Sequence, residues 1–120
     1  MKGAAADVSR KGIDAYTEFV RRYGMGGLLW GKLNPDGVSG PIGKLLSDTE
    51  QSRVFEALDA EEGDLVLLGV GPQARVNAGL GRLRAQVGKE RGLTDNVDYA
   101  FCWVTDFPAF EYDEDDGRWV

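Results

Sequence analysis

Between Leu65 and Val87 the chain commits itself to a strand that feeds directly into a helix. Leu65-Val66-Leu67-Leu68-Gly69-Val70 is a continuous apolar run, so it reads as a strand covered on both faces or packed centrally. Pro72 follows, a residue suited to the first turn of a helix. Val76, Leu80, Leu83 and Val87 then recur at i, i+4, i+7 and i+11, which makes one apolar stripe. The spacing predicts a helix from Pro72 to about Arg91, ended by Gly92. Gly79, Gly81 and Gly88 each weaken it by roughly 1 kcal/mol relative to alanine, and they allow close packing.

The rest of the chain supplies partners for this unit. Residues 1–8 are small and unpatterned and read as a flexible lead-in. Ser9 caps a helix running to Tyr23, with Ile13, Tyr16, Phe19 or Val20, and Tyr23 at helical spacing and Gly24 after it. Leu28 to Leu33 reads as a strand in which Trp30 is the heaviest apolar contribution. Asn34-Pro35-Asp36-Gly37 is turn chemistry. A second extended piece is expected from Val38 to Leu46, and its Pro41 makes it an edge or irregular strand. Ser47-Asp48-Thr49-Glu50 matches a capping box for a short helix to about Leu58. Tyr99 to Thr105 is aromatic and β-branched and reads as the closing strand. Phe110 to Tyr112, the turn at Asp115-Asp116-Gly117, and Arg118 to Val120 read as a hairpin. No repeat and no regular βαβ series appears. The pattern implies an α+β fold, two-layered, with a mixed, mostly antiparallel sheet and helices packed on one face.

Charge narrows the functional classes. The net charge is −6. Residues 106–120 carry six acids and one arginine, so the body before them is nearly neutral. Strong autonomous nucleic-acid binding needs a basic field, which the chain as a whole lacks. No apolar run approaches the ~18 residues of a membrane span, and residues 1–6 lack the apolar core of a signal peptide. One cysteine, Cys102, forms no internal disulfide. Placed between Phe101 and Trp103, it reads as a small buried residue.

Catalytic signatures are few. With no histidine and one cysteine, Ser–His and Cys–His machinery is absent and zinc is excluded on ligand count. No pair of carboxylates is framed by apolar neighbours that would raise a pKa. Gly69-Val70-Gly71-Pro72-Gln73-Ala74 lies between a strand and a helix, as a dinucleotide fingerprint requires. However, Pro72 removes an N–H where a pyrophosphate would dock, and no acid-tipped second strand follows. It reads as a packing corner. The oxygens of Asp113 to Asp116 suit Ca²⁺ or Mg²⁺, but the spacing is not that of an EF-hand, and a solvated hairpin tip accounts for them. One basic feature survives. Arg75, Arg82 and Lys89 are spaced by seven along the long helix, with Arg84 and Arg91 nearby and Glu90 the one acid there. They form either a solvated face or an RNA-backbone contact. Trp30 beside Lys32 is core or, alternatively, a base-stacking platform.

The segment Trp103-Val104-Thr105-Asp106-Phe107-Pro108-Ala109-Phe110-Glu111-Tyr112-Asp113 closely resembles the one with which bacterial-type aspartyl-tRNA synthetases re-enter their catalytic domain after a large insertion. Earlier pieces agree in order. Ser9-Arg10-Lys11 and Glu18-Phe19-Val20 resemble the insertion's first helix. Gly27 to Trp30 resembles its first strand, and Ser39 to Leu46 its Ser-Pro-Ile-Ala-Lys-Phe-Leu run. Gly63-Asp64-Leu65 and Leu80 to Arg84 continue in register. Gly43 and Leu45 stand where the family has Ala and Phe, and Gly12 where Glu is usual.

The resemblance implies a GAD-like insertion domain over residues 9–106, followed at 107–120 by a truncated segment of the class II catalytic domain. It further implies a cytoplasmic ligase parent that uses ATP and magnesium to join aspartate to tRNA. None of that family's class II motifs occurs here, so no catalytic residue, cofactor or metal is expected in this chain. The expected partners are the parent's catalytic domain and tRNA, with no DNA and no membrane. The domain's own role is expected to be a structural brace or a contact to the tRNA acceptor arm through Arg75, Arg82 and Lys89. Two alternatives stand beside it: the GAD interaction module of a tRNA-dependent amidotransferase, or a free-standing small-ligand regulatory domain.

Overall fold

The computed structural model describes residues 1–95, 99, 101–110, 112–113 and 116–120. Its centre is a three-stranded sheet in the order β2-β1-β3, built from β1 (Leu29–Asn34), β2 (Gly37–Ser39) and β3 (Leu65–Leu68). Both ladders are antiparallel. Asn34 pairs with Gly37 across the two-residue turn that the sequence predicts, and Leu29 pairs with Leu68. Alternation along the strands then sorts the side chains.

Leu65 and Leu67 turn to one face, where the two long helices pack: α1 (Arg10–Arg21) and α4 (Gln73–Glu90). Ile13 and Val20 of α1 and Leu83 and Val87 of α4 are buried there, with Met25 between them. Val66 and Leu33 turn to the other face and meet Ile42 and Phe55. Those residues belong to two short helices, α2 (Pro41–Leu45) and α3 (Asp48–Ala57). The result is the α+β class expected, but helices cover both faces of the antiparallel sheet rather than one, because Leu65 and Leu67 need cover on one side and Leu33 and Val66 on the other.

Local signals set the helix starts as predicted. The Ser9 hydroxyl accepts from Gly12 N–H at 3.2 Å. The Ser47–Glu50 capping box is closed, with Ser47 N–H donating to Glu50 Oε2 at 2.8 Å. The stripe Val76, Leu80, Leu83 and Val87 faces the core.

Four further expectations need correction. The extended piece from Val38 to Leu46 stops at Ser39, and α2 takes its place. Pro41 stands at its first turn, where a missing N–H costs nothing. Gly40 makes that corner possible. Its φ is +110°, and a Cβ there would lie 2.5 Å from the Trp30 ring. Trp30 itself is half-buried, under the Arg10 guanidinium at 5.0 Å, so it is neither full core nor an open platform.

At the N-terminus, the expected lead-in is packed. Ala4 and Ala5 are buried, Ala5 N–H donates to Gly63 O at 2.8 Å, and Met1 and Leu65 are joined by two hydrogen bonds. The small side chains that carry no pattern are what let this segment lie close against β3.

The closing strand is the last correction. Tyr99 and residues 101–105 form no strand among the described residues. Phe101 is 95% exposed and Trp103 96%, and Cys102 is exposed as well. A run apolar on both faces needs cover on both faces. The described body gives these side chains no such cover, as their exposure shows.

The hairpin is seen as β4 (Tyr112–Asp113) and β5 (Arg118–Trp119), with Tyr112 opposite Trp119.

Candidate functional site

Two surfaces carry functional potential. The first is the outer side of α4. Because its apolar stripe faces the sheet, Arg75, Arg82 and Lys89 emerge in line on exposed positions. Seven residues rise about 10.5 Å along an α-helix, so the three cations span about 21 Å. Arg75 lies beside the C-terminal end of α1, where a Cβ on Gly24 would meet its Cδ at 3.5 Å.

None of the three forms an ion pair with another described residue. The acid and the fifth cation of this stretch are otherwise engaged. Glu90 accepts from Tyr16 Oη at 2.8 Å and from Gln86 Nε2 at 2.7 Å. Arg91 faces Asp7 at 3.7 Å and donates to Lys2 O at 3.3 Å. Burial of Tyr16, reinforced by its bond to Glu90, holds its hydroxyl above the usual tyrosine pKa. The one carboxylate of α4 is therefore directed toward α1 and leaves the basic line unneutralised.

The second surface is aromatic. Phe101, Trp103, Phe107, Phe110 and Trp119 are all exposed. Tyr99 and Phe101 stack at 6.1 Å, and Tyr112 meets Trp119 edge to face at 5.4 Å. Ala109, Phe110 and Trp119 line an open apolar hollow of about 560 Å³. Exposed apolar surface of this extent in one stretch is what interaction sites offer.

The other sequence candidates come out as structure. At the Gly69–Ala74 corner the space above Gly69 is filled by Met25, whose Cε would lie 2.6 Å from a Cβ there. Pro72 is the N-cap of α4 and offers no N–H. The corner does not fit a phosphate. In the acidic hairpin, Glu114 and Asp115 lie outside the described residues. Asp113 Oδ1 accepts from Asp116 N–H at 3.0 Å, and Arg118 pairs with Asp116 at 3.1 Å. No group of three or more His, Cys, Asp or Glu side chains that could hold a metal ion is found among the described residues.

Sequence reasoning missed Asp64, to which it gave no role. It is buried, and its carboxylate accepts from Gly3 N–H at 2.8 Å and Glu61 N–H at 3.0 Å, with the Lys2 ammonium at 3.5 Å. The Glu61 backbone bond is the largest influence holding its pKa below the usual carboxylate range. Its partner Gly3 lies 61 residues away, so no local pattern could have shown it.

Comparison with known proteins adds the family. The GAD domain profile matches residues 1–80. The chain is 50% identical over 118 residues to the aspartate–tRNA(Asp/Asn) ligase of Bacillus subtilis (strain 168). It is also 50% identical over 118 residues to the aspartate–tRNA ligase of Geobacillus kaustophilus (strain HTA426). Against the aspartate–tRNA ligase of Macrococcus caseolyticus (strain JCSC5402) the identity is 46% over 119 residues. These alignments take in 98–99% of this chain but 20% of each relative, so the chain spans about a fifth of their length.

Proposed function

The chain belongs to the GAD domain family, and from that premise we propose that it is the accessory domain of an aspartate–tRNA ligase and contacts the tRNA backbone through α4. The observation that carries the reading is the exposed, unpaired line of Arg75, Arg82 and Lys89, set apart from the acidic residues 106–120. Phosphate contacts through such cations position a nucleic acid without reading its sequence, which suits a domain that supports a ligase rather than selects its substrate. The ligase would work in the cytoplasm and would use ATP and magnesium held outside this chain. The purified chain is expected to show no aspartate-dependent ATP–pyrophosphate exchange.

The test is a titration of the labelled chain with tRNA across a salt series. Each phosphate contact contributes roughly 0.7 to 0.9 to the slope of log affinity against log salt. Replacing Arg75, Arg82 and Lys89 together by alanine should lower the slope by about two to three. Binding that is absent, or insensitive to salt, sinks the RNA reading.

A second role is favoured by a different observation. The exposed aromatics from Phe101 to Trp119 suit a brace that docks against the ligase's catalytic body. The two roles are compatible, because they use different parts of the chain.

A further inference from the structure

The basic line of α4 borders a second row of side chains. Gly79 lies between Arg75 and Arg82 at helical spacing, on the same side of the helix. A Cβ on Gly79 would lie 3.6 Å from Val20 Cβ, so this side of α4 abuts α1. Two contacts fix the direction. Gly24, just past the end of α1, borders the Arg75 side chain, and Tyr16 Oη donates to Glu90. The end of α1 thus sits at the start of α4, and the two helices run antiparallel.

Along this seam α1 is rimmed by rings. Tyr16, Phe19 and Tyr23 recur at i, i+3 and i+7, one stripe of the helix and the turn that follows it. Tyr16 and Phe19 are half-buried, and Tyr23 is 38% exposed. The Phe19 and Tyr23 rings lie 5.4 Å apart, tilted by 56°. Tyr23 precedes Gly24 and so comes level with Arg75. Phe19 falls between there and Glu90, the stretch that holds Arg82. The acid at the far end is occupied, since the two oxygens of Glu90 accept from Tyr16 and Gln86. A row of rings therefore lies beside cations that no described acid neutralises.

Resting on the reading that α4 contacts RNA, we propose that the α1–α4 seam binds unpaired nucleotides. Arg75 and Arg82 hold phosphates while a base stacks on Tyr23, with Phe19 supporting that ring. Every base has a π-face, so such a site tolerates any sequence. Pairing is what it discriminates. Bases in a duplex are stacked on one another, and their faces are closed to a protein ring, so paired RNA offers this surface its phosphates alone. A single strand offers phosphates and open base faces together, and the rings favour it.

The experiment titrates the full chain into two end-labelled probes, read by fluorescence anisotropy. One is a short single-stranded RNA of mixed sequence, and the other is the same strand annealed to its complement. The single strand should bind more tightly. Tyr23→Ala should weaken it by roughly five- to a hundredfold, the loss of one stacked base, and leave the duplex unchanged. The salt slope of that variant should match the unaltered chain, because no cation is removed, whereas Arg82→Ala should lower the slope by about 0.7. Tyr23→Trp restores a ring and should keep the single-strand affinity, which separates stacking from a folding defect. Equal affinity for the two probes overturns the stacking proposal and leaves the phosphate reading standing, as does a single-strand affinity that Tyr23→Ala does not change. Binding of neither probe removes both.

Discussion

Met25 occupies a slot that only glycines leave open, and this allows a sharp test of how α4 packs. Gly79, on the buried side of α4, and Gly69, just after β3, both face Met25. A Cβ on Gly79 would overlap Met25 Sδ and come within 2.8 Å of its Cγ. By contrast, a Cβ on Gly81 or Gly88 would meet nothing within 4 Å. Alanine gains roughly 1 kcal/mol over glycine in a helix interior. At Gly81 nothing opposes that gain, so Gly81→Ala should stabilise by about 1 kcal/mol. At Gly79 the added methyl must displace a buried thioether, and overpacking of this kind costs roughly 1–3 kcal/mol. After the propensity gain is subtracted, Gly79→Ala should destabilise by about 1 kcal/mol. The two single substitutions, two residues apart on one helix, should thus differ by about 2 kcal/mol in denaturant unfolding followed by far-ultraviolet circular dichroism. Met25→Ala alone should cost about 2–5 kcal/mol. Combined with Gly79→Ala it should cost less than the sum, because the truncated side chain no longer fills the slot. Equal stabilisation by Gly79→Ala and Gly81→Ala would refute the packing argument. Strict additivity of the Met25 and Gly79 changes would do the same.

Three further outcomes are expected. Asp64→Asn removes one of two charge-assisted acceptors for backbone N–H groups and should cost about 1.5–3 kcal/mol near neutral pH. The pKa of Asp64 is depressed by folding, so its contribution is present above the ordinary carboxylate value of about 3.9 and is lost as pH falls through the lower, folded value. The stability gap between neutral and acid pH, measured by urea unfolding, should therefore be narrower in the asparagine variant. Ser47→Ala opens the capping box of α3 and should cost about 1 kcal/mol. Because α3 buries no residue, the loss should show first as faster amide exchange within residues 48–57. Trp103→Ala should change the stability of this chain by less than about 0.5 kcal/mol, since the side chain is exposed. In a full-length ligase of the family the same substitution should lower the melting temperature, and an unchanged value there would count against the docking role.

The local elements are legible in the residue spacing alone. Ser9, the Ser47–Glu50 box, the Asn34–Gly37 turn, the α4 stripe and the Tyr112–Trp119 hairpin all rest on contacts spanning a few residues, and spacing encodes those directly. The collinearity of Arg75, Arg82 and Lys89 is legible for the same reason, because a helix of known period sets it.

What the spacing could not reveal depends on partners far away in the chain. Residues 1–5 carry no pattern, yet they lie along β3 because Leu65, Gly63 and Asp64 offer them hydrogen bonds. Pro41 reads as an interruption of a strand until the second face of the sheet needs Ile42, and then it starts a helix. Phe101 to Thr105 has the composition of a buried strand, but composition states only that a segment needs cover. The tertiary structure decides whether this chain supplies it, and the described body leaves those side chains exposed. Periodicity thus determined which faces seek burial. Burial itself is a property of two surfaces, and only the folded chain shows which pairs meet.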